Sequence, residues 1–181
     1  MEVSELRREK LSVRFAQHDV DGDGFLEQSD YDALGRLLSD QLGASSEIRE
    51  QIAAGFAEQW RLLCTHADID ADGRIGLDEY VAAMGGGIAA DAAGLERAVL
   101  ATSRAAIQAA DANGDGFLDL ADFARLGALL HVDDHVASFQ ALDVNGAGRL
   151  SYDEIIAAVR DFYTSDDPSS PGNLVFGRSA A

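Results

Sequence analysis

Residues 19–30 read DVDGDGFLEQSD, and the same 12-residue pattern returns three more times along the chain. The other copies are DIDADGRIGLDE at 68–79, DANGDGFLDLAD at 111–122 and DVNGAGRLSYDE at 143–154. Every copy has Asp at position one, Asp or Asn at position three, Gly at position six, Leu or Ile at position eight and an acid at position twelve. Agreement at so many positions indicates four copies of one structural unit.

The repeated residue types match what a hard divalent cation requires. Calcium takes about six to eight oxygen ligands. A 12-residue loop supplies them from the side chains at positions one, three and five, the carbonyl at seven, position nine, often through water, and the acid at twelve. Glycine at position six allows the sharp bend, because it adopts a positive φ without a Cβ clash. Each copy is therefore predicted to be a metal-binding loop, with calcium as the expected ion.

The second loop has the most complete set of predicted ligands. Asp68, Asp70 and Asp72 supply side-chain oxygens, and Arg74 supplies its backbone carbonyl. Glu79 at position twelve is long enough to bind through both carboxylate oxygens. We expect calcium at this loop.

The first and third loops also carry ligand candidates along their whole length, but they end in Asp instead of Glu. The predicted ligands are Asp19, Asp21, Asp23, the Phe25 carbonyl, Glu27 and Asp30 in the first loop, and Asp111, Asn113, Asp115, the Phe117 carbonyl, Asp119 and Asp122 in the third. Asp is one methylene shorter than Glu and reaches an ion with both oxygens less easily. A shell with one oxygen fewer approaches the octahedron that magnesium demands. Both loops are expected to bind with weaker discrimination between calcium and magnesium.

The fourth loop departs furthest from the pattern, since Ala147 at position five carries no ligand oxygen. The remaining candidates are Asp143, Asn145, the Arg149 carbonyl, Ser151 and Glu154. Two interpretations stay open. Either a water replaces the missing oxygen and the affinity falls, or the loop serves as a structural partner for the third loop.

Helical periodicity flanks the loops, with apolar residues recurring every three or four positions. Examples are Ile48, Ile52, Phe56, Trp60 and Leu63 before the second loop, and Ile155, Val159 and Phe162 after the fourth. The apolar residues at position eight are expected to pair across loops, Leu26 with Ile75 and Leu118 with Leu150. The predicted fold is all-α, with eight main helices in four helix–loop–helix units, two pairs of units, and a short antiparallel β bridge in each pair.

The glycine run at 85–87 is expected to act as a linker that divides the chain. The first pair then spans 1–84, the second pair 88–163, and a tail 164–181. Pro168 and Pro171 argue against a helix in the tail. Leu174, Val175 and Phe176 are apolar, so the tail is predicted to fold back between the halves; the alternative is a frayed terminus.

On these loop residues the chain is identified as a member of the EF-hand superfamily. Its length, four-loop layout and tail resemble the sarcoplasmic calcium-binding proteins and their bacterial relatives of the calerythrin type. That resemblance implies a compact molecule in which the tail plugs the space between the halves.

The acidic charge of the chain is concentrated in the loops. The chain has 32 Asp and Glu against 14 Lys and Arg, a formal net charge of -18, and 17 of the acids lie in the four loops. Such a chain repels phosphate, so nucleic acid and anionic membrane surfaces are not expected partners. With a single cysteine, no secretory signal and no long apolar run, a cytoplasmic monomer is expected. Thirteen of the basic residues are Arg, a bias that fits a GC-rich bacterial genome.

The expected function is intracellular calcium buffering or storage. Calcium sensors present Met-rich grooves to their targets, whereas this chain has two Met, of which only Met84 is internal. The alternative is a calcium-dependent regulator that binds a partner protein, and a third possibility is a magnesium-stabilised structural protein. No P-loop, HExxH or GxSxG motif occurs, so no enzymatic activity is expected.

Overall fold

The structure is a computed structural model that describes residues 3–67, 72–88, 92–132 and 134–177. Within these ranges the chain is mostly helical, with a small amount of β structure between loops. The predicted all-α fold of paired helix–loop–helix units is confirmed. No helix of the described ranges combines the length and the apolar character needed to cross a membrane.

The first helix–loop–helix unit consists of α1, Glu5–His18, and α2, Gln28–Gln41. α1 begins where the Ser4 side chain accepts a hydrogen bond from the Arg7 N–H, which satisfies one of the free donors of the first turn. α2 begins where the Asp30 carboxylate accepts the Glu27 N–H at 2.8 Å. The last acid of the loop therefore also caps the helix that leaves it.

The second unit consists of α3, Ser46–His66, and α4, Leu77–Ala82, which continues as a π-helical segment, Ala83–Ile88. The glycine run expected to act as a linker lies within this π-helical segment. A Cβ placed on Gly85 would come within 2.7 Å of the Val3 side chain and 3.2 Å of Leu11. The glycine is thus needed for close packing against the start of the chain, a reason that the sequence pattern did not reveal.

The third and fourth units follow the same plan. The helix that enters the third loop is built in three consecutive parts, which are α5, Ala92–Leu95, a π-helical segment, Glu96–Leu100, and α6, Ala101–Ala110. The other helices are α7, Leu120–Leu129, α8, His135–Leu142, and α9, Tyr152–Thr164. Apart from the short α5, the described residues therefore form the eight main helices that the four repeats predict.

Each pair of loops is joined by backbone hydrogen bonds at position eight. Leu26 and Ile75 exchange N–H···O bonds of 2.9 and 3.0 Å in an isolated antiparallel bridge. β1, Phe117–Leu118, pairs with β2, Leu150–Ser151, and places Leu118 opposite Leu150. All four position-eight side chains are fully buried, so both predicted pairings are confirmed. The apolar side chain at this position pins one loop to the other.

A continuous apolar core extends through both halves of the chain. Its largest fully buried side chains include Tyr31 and Tyr80 from the first half and Phe162 and Tyr163 from α9. Met84, the one internal methionine, is 0% exposed. The two halves are therefore packed against each other in this structure.

The described part of the tail, up to residue 177, packs against α1 and α9. After α9 the chain makes a 3₁₀ turn, Pro171–Leu174. Val175 and Phe176 then enter the core and are 4% and 5% exposed. The Phe176 ring lies 5.0 Å from that of Phe162 between centroids, and the Lys10 ammonium donates to the Ser165 carbonyl at 2.8 Å.

Candidate metal centres

The first loop gathers three carboxylates. Asp19, Asp21 and Asp23 each offer an oxygen, and these oxygens lie within 4.8 Å of one another. The loop wraps around the Asp19 carboxylate, which accepts the N–H groups of Gly22 at 2.9 Å and Gly24 at 3.0 Å. Both glycines have positive φ, 72° and 88°, so their backbone can turn toward the carboxylate without a Cβ clash. An all-oxygen donor set of this kind fits a hard divalent cation.

The acids at positions nine and twelve of the first loop have protein partners. Asp30 is 4% exposed, and its two oxygens accept the N–H groups of Val20 at 3.0 Å and Glu27 at 2.8 Å. The Glu27 carboxylate lies 2.7 Å from Nε of Arg74, which belongs to the paired second loop. The first loop therefore brings its first three acids together, while Glu27 faces the neighbouring loop.

In the second loop, Asp68 and Asp70 fall outside the described residues. Asp72 accepts the Arg74 N–H at 2.8 Å, and Glu79 accepts the Gly76 N–H at 2.9 Å with one oxygen. This second contact caps α4 in the way that Asp30 caps α2. The described part of the loop, residues 72–79, thus keeps its position-twelve acid at the start of the exiting helix.

Asp111 is the best-bonded acid of the third loop. Its carboxylate accepts the N–H groups of Gly114 at 2.8 Å and Gly116 at 2.9 Å, and the hydroxyl of Tyr152 at 2.8 Å. Burial acts to raise the pKa of Asp111, but the hydrogen bonds from Gly116, Tyr152 and Gly114 outweigh it and hold that pKa below its usual value. Burial, and then the same hydrogen bond to Asp111, raises the pKa of Tyr152. These hydrogen bonds therefore favour the ionised form of the Asp111 carboxylate.

The other predicted ligands of the third loop form hydrogen bonds to the local backbone or an ion pair. Asn113 accepts the Asp115 N–H at 2.9 Å, and Asp119 accepts the Asp122 N–H at 2.9 Å. Asp122 at position twelve is 7% exposed and lies 3.1 Å from the guanidinium of Arg125, one helical turn further on. This ion pair has no counterpart in the described part of the other loops.

The polar side chains of the fourth loop form hydrogen bonds with one another and with the loop backbone. Asp143 accepts the N–H groups of Ala147 at 2.9 Å and Gly148 at 2.8 Å. The Asn145 amide donates to one oxygen of Glu154. Ser151 donates its N–H and its hydroxyl to the other oxygen, both at 2.8 Å. Position three thus contacts position twelve directly.

The position-seven residues of paired loops stack on each other. The Arg74 guanidinium lies over the Phe25 ring, 5.0 Å from its centroid, and Arg149 lies over Phe117 at 3.8 Å. In the sequence, position seven alternates between Phe in the first and third loops and Arg in the second and fourth. This alternation is a sequence signal for the contact, whereas the ligand pattern of the loop assigns position seven only a carbonyl role.

Arg125 and Tyr152 were also missed in the sequence. Neither occupies a ligand position, yet each contacts an acid that does, Asp122 and Asp111 respectively. Arg125 follows Asp122 by three residues, a spacing that places the two side chains on one face of a helix. Tyr152 belongs to the fourth loop and approaches the third only because the loops pair.

Comparison with protein families assigns both halves of the chain to EF-hand domains. A model of the EF-hand domain pair matches residues 8–85. A model of the single EF hand matches residues 104–127 and again 136–159. Together the three segments contain all four repeats.

Individual relatives agree with this assignment. Calerythrin from Saccharopolyspora erythraea is 26% identical over 160 residues, which cover 86% of this chain and 90% of calerythrin. The structure of a Streptomyces coelicolor calcium-binding protein is 27% identical, covers 89% of this chain and 99% of that one, and has a TM-score of 0.73. The sarcoplasmic calcium-binding protein of amphioxus is 20% identical with a TM-score of 0.78, covers 98% of this chain and 100% of that one, and shows the shared fold. The chain is therefore a calcium-binding protein of the EF-hand family, which is similar in sequence to calerythrin and shares its fold with the sarcoplasmic calcium-binding protein of amphioxus.

Proposed function

We propose that this protein is an intracellular calcium buffer or store that holds calcium in its acidic loops. The convergence of Asp19, Asp21 and Asp23, whose oxygens lie within 4.8 Å of one another, carries the proposal most directly. Carboxylates held this close repel one another without a cation. Binding of a divalent cation would relieve that repulsion.

The proposed ligands lie at loop positions one, three, five, seven and nine, wherever the residue supplies an oxygen, and at position twelve. They are Asp19, Asp21, Asp23, the Phe25 carbonyl, Glu27 and Asp30; Asp68, Asp70, Asp72, the Arg74 carbonyl and Glu79; Asp111, Asn113, Asp115, the Phe117 carbonyl, Asp119 and Asp122; and Asp143, Asn145, the Arg149 carbonyl, Ser151 and Glu154. The second loop, with Glu at position twelve, is the proposed calcium site of highest selectivity.

The contacts of the other loops support an order of affinity. In the first loop an ion must compete with Arg74 for Glu27, and in the third with Arg125 for Asp122. Both loops end in Asp, so magnesium is proposed to compete there. In the fourth loop an ion must displace the Asn145 amide from Glu154 without any help from position five. This loop is proposed to be the weakest and to act chiefly as the partner of the third.

A buffering role is supported by the packing of the core. A sensor exposes an apolar groove on binding calcium. Here Met84 is fully buried, and Val175 and Phe176 of the tail take part in the core. We infer that the tail, 164–181, plugs the space between the first pair, 1–84, and the second pair, 88–163. Residues 85–87 join the pairs, and the protein is proposed to be a cytoplasmic monomer without catalytic activity.

A regulatory role is the second candidate. The 27% identical Streptomyces coelicolor protein comes from a structure that concerns prokaryotic calcium-mediated regulation. On that reading calcium would separate the halves and expose the surface that Val175 and Phe176 now cover. A partner protein would then bind this surface.

Isothermal titration calorimetry of calcium into the metal-free protein, with and without millimolar magnesium, tests calcium binding directly. Heat from several sites, reduced by magnesium at some of them, is expected; no calcium heat in either buffer would contradict the proposal. Small-angle scattering and binding of an apolar dye separate the two roles. A buffer keeps its radius and its low dye signal when calcium is added to the magnesium-loaded form. A regulator expands and binds dye.

A further inference from the structure

A cavity of about 60 Å³ lies in the interior, within a wider space of about 680 Å³ that includes solvent at its opening. Both halves of the chain contribute to its walls. The apolar lining includes Phe56 of α3, Ile107 of α6, Phe123 of α7 and Val159 of α9. None of the described residues that line the cavity belongs to a metal loop, so neither calcium nor magnesium accounts for it.

Arg14 places a positive charge in the wall of this cavity. The residue is 7% exposed. Its guanidinium contacts the Tyr163 hydroxyl at 3.3 Å, the Gln17 amide oxygen at 2.6 Å and Nε2 of His18 at 2.8 Å. None of these partners carries negative charge. Among the described residues Arg14 forms no ion pair with a carboxylate, although the chain has a net charge of -18.

A buried cation without a counter-ion is unfavourable. A guanidinium has five N–H donors in a planar fork that matches the two oxygens of a carboxylate. The three contacts of Arg14 use one donor each and leave two. The side chain therefore retains both the charge and the donors that an anionic oxygen group requires.

Two further polar side chains of the cavity wall have no partner. Nε2 of Gln59 and the hydroxyl of Thr102 are buried and make no hydrogen bond in the described part of the protein. The residues are 2% and 6% exposed, and both line the cavity. Buried polar groups are normally satisfied by protein, water or a ligand. An occupant with oxygen atoms could satisfy them, whereas a purely apolar one could not.

The tail forms one side of the cavity. Val175 and Phe176 belong to its lining. The Arg14 guanidinium lies over the Phe176 ring, 3.9 Å from its centroid. Gln17 donates to the Phe176 carbonyl at 2.8 Å. The cation and the tail are thus held together, and a molecule in the cavity would contact both.

We propose that the cavity binds a small monocarboxylic acid with an apolar tail. The carboxylate lies at the guanidinium of Arg14, and the apolar chain lies among the side chains of Phe56, Ile107, Phe123 and Val159. The apolar lining and the Arg14 cation favour one short chain with one anionic head. Because the occupant contacts Phe176, its binding stabilises the packed position of the tail.

Calorimetric titration of the full chain with octanoate and with 1-octanol, at saturating calcium, tests this site. The two probes share their chain and differ in the head group. One additional charge-assisted contact makes octanoate bind about tenfold more tightly or better. Equal affinities, or no binding of either probe, would overturn the proposal, the second result meaning that the cavity holds only water.

Three variants locate the site. Arg14→Gln should lower octanoate affinity about tenfold or more and leave 1-octanol affinity unchanged. The control is Arg8→Gln. Arg8 is an exposed arginine of the same helix and pairs with Asp78, so this variant should change the affinity of neither probe. Val159→Phe should fill the cavity and abolish binding of both probes. Octanoate binding that survives Arg14→Gln or Val159→Phe places the site elsewhere and overturns the proposal. If Arg14→Gln does not fold, the comparison of octanoate and 1-octanol affinities on the unaltered chain still tests the proposal.

Discussion

The guanidinium carbon of Arg149 lies 3.8 Å from the centre of the Phe117 ring, and these are the position-seven residues of two paired loops. Their backbones are neighbours across β1 and β2, since Phe117 is opposite Ser151. The cation therefore stacks on the outer face of a two-stranded bridge whose inner face is formed by buried Leu118 and Leu150. The fourth loop is attached to the third on both faces, which supports a structural role even where its metal affinity is low.

Replacement of this arginine measures the contribution of the stacking contact. Arg149→Ala should lower the free energy of unfolding by about 0.5–1 kcal/mol, the range for an exposed cation–π pair. The measurement is urea unfolding with calcium present. Arg36→Ala removes another exposed arginine, from the surface of α2, and should have no comparable effect. Equal midpoints for the two variants would show that the stacking contributes nothing.

The missing oxygen of the fourth loop can be restored. Ala147→Asp places a carboxylate at position five and should raise calcium affinity at this loop by about tenfold, the effect of one charged oxygen contact. The control Val144→Asp adds the same charge at position two, which supplies no ligand and where the side chain is 76% exposed. Calorimetry should show the tighter site only with Ala147→Asp. An equal gain from both variants would mean that charge alone, and not ligation, is responsible.

The terminal acid of the third loop should control ion selectivity. Asp122→Glu adds the methylene that lets both oxygens reach an ion, so the preference for calcium over magnesium should rise by about tenfold. The measurement is calcium titration against a series of magnesium concentrations. Asp32→Glu makes the same change at an exposed position of α2 and should leave selectivity as it was. Unchanged selectivity in Asp122→Glu would show that the length of this acid does not decide the ion.

Removal of calcium should destabilise the whole molecule. A ligand that binds only the folded state adds about 2.7 kcal/mol per site at a hundredfold excess over its dissociation constant. Thermal unfolding with excess calcium and with a chelator should therefore give clearly different melting temperatures. Sodium chloride at matched ionic strength controls for general screening of the acidic surface. A melting temperature that responds equally to sodium and calcium would contradict specific binding.

Truncation of the tail aromatic should weaken the link between the halves. Phe176 is 5% exposed and packs on Phe162 and Tyr163. Phe176→Ala should lower the free energy of unfolding by about 3–5 kcal/mol, the usual range for a buried Phe, and should increase binding of an apolar dye. Pro168→Ala, at an exposed position of the same tail, should change neither. A stable variant with unchanged dye signal would mean that the tail is not a plug.

The position and limits of the loops, the helices around them and the two bridge pairs could be read from the sequence. These features depend on local requirements. Gly at position six must bend the backbone, acids must recur at fixed spacing to face one point, and an apolar residue at position eight must be buried between loops. Leu26 and Ile75 illustrate this, because their equivalent places in two repeats were enough to predict their contact. The metal ligands themselves remain predictions, among them Asp68 and Asp70, which lie outside the described residues.

Only the tertiary structure decided which distant side chains meet. It placed Gly85 in a π-helical segment against Val3, a close approach that no local pattern encodes. It also brought Tyr152 to Asp111 and placed Arg14 in an interior cavity without a carboxylate. Such contacts depend on the relative placement of helix faces, which is fixed by packing of the whole core and not by the spacing of residues within one segment.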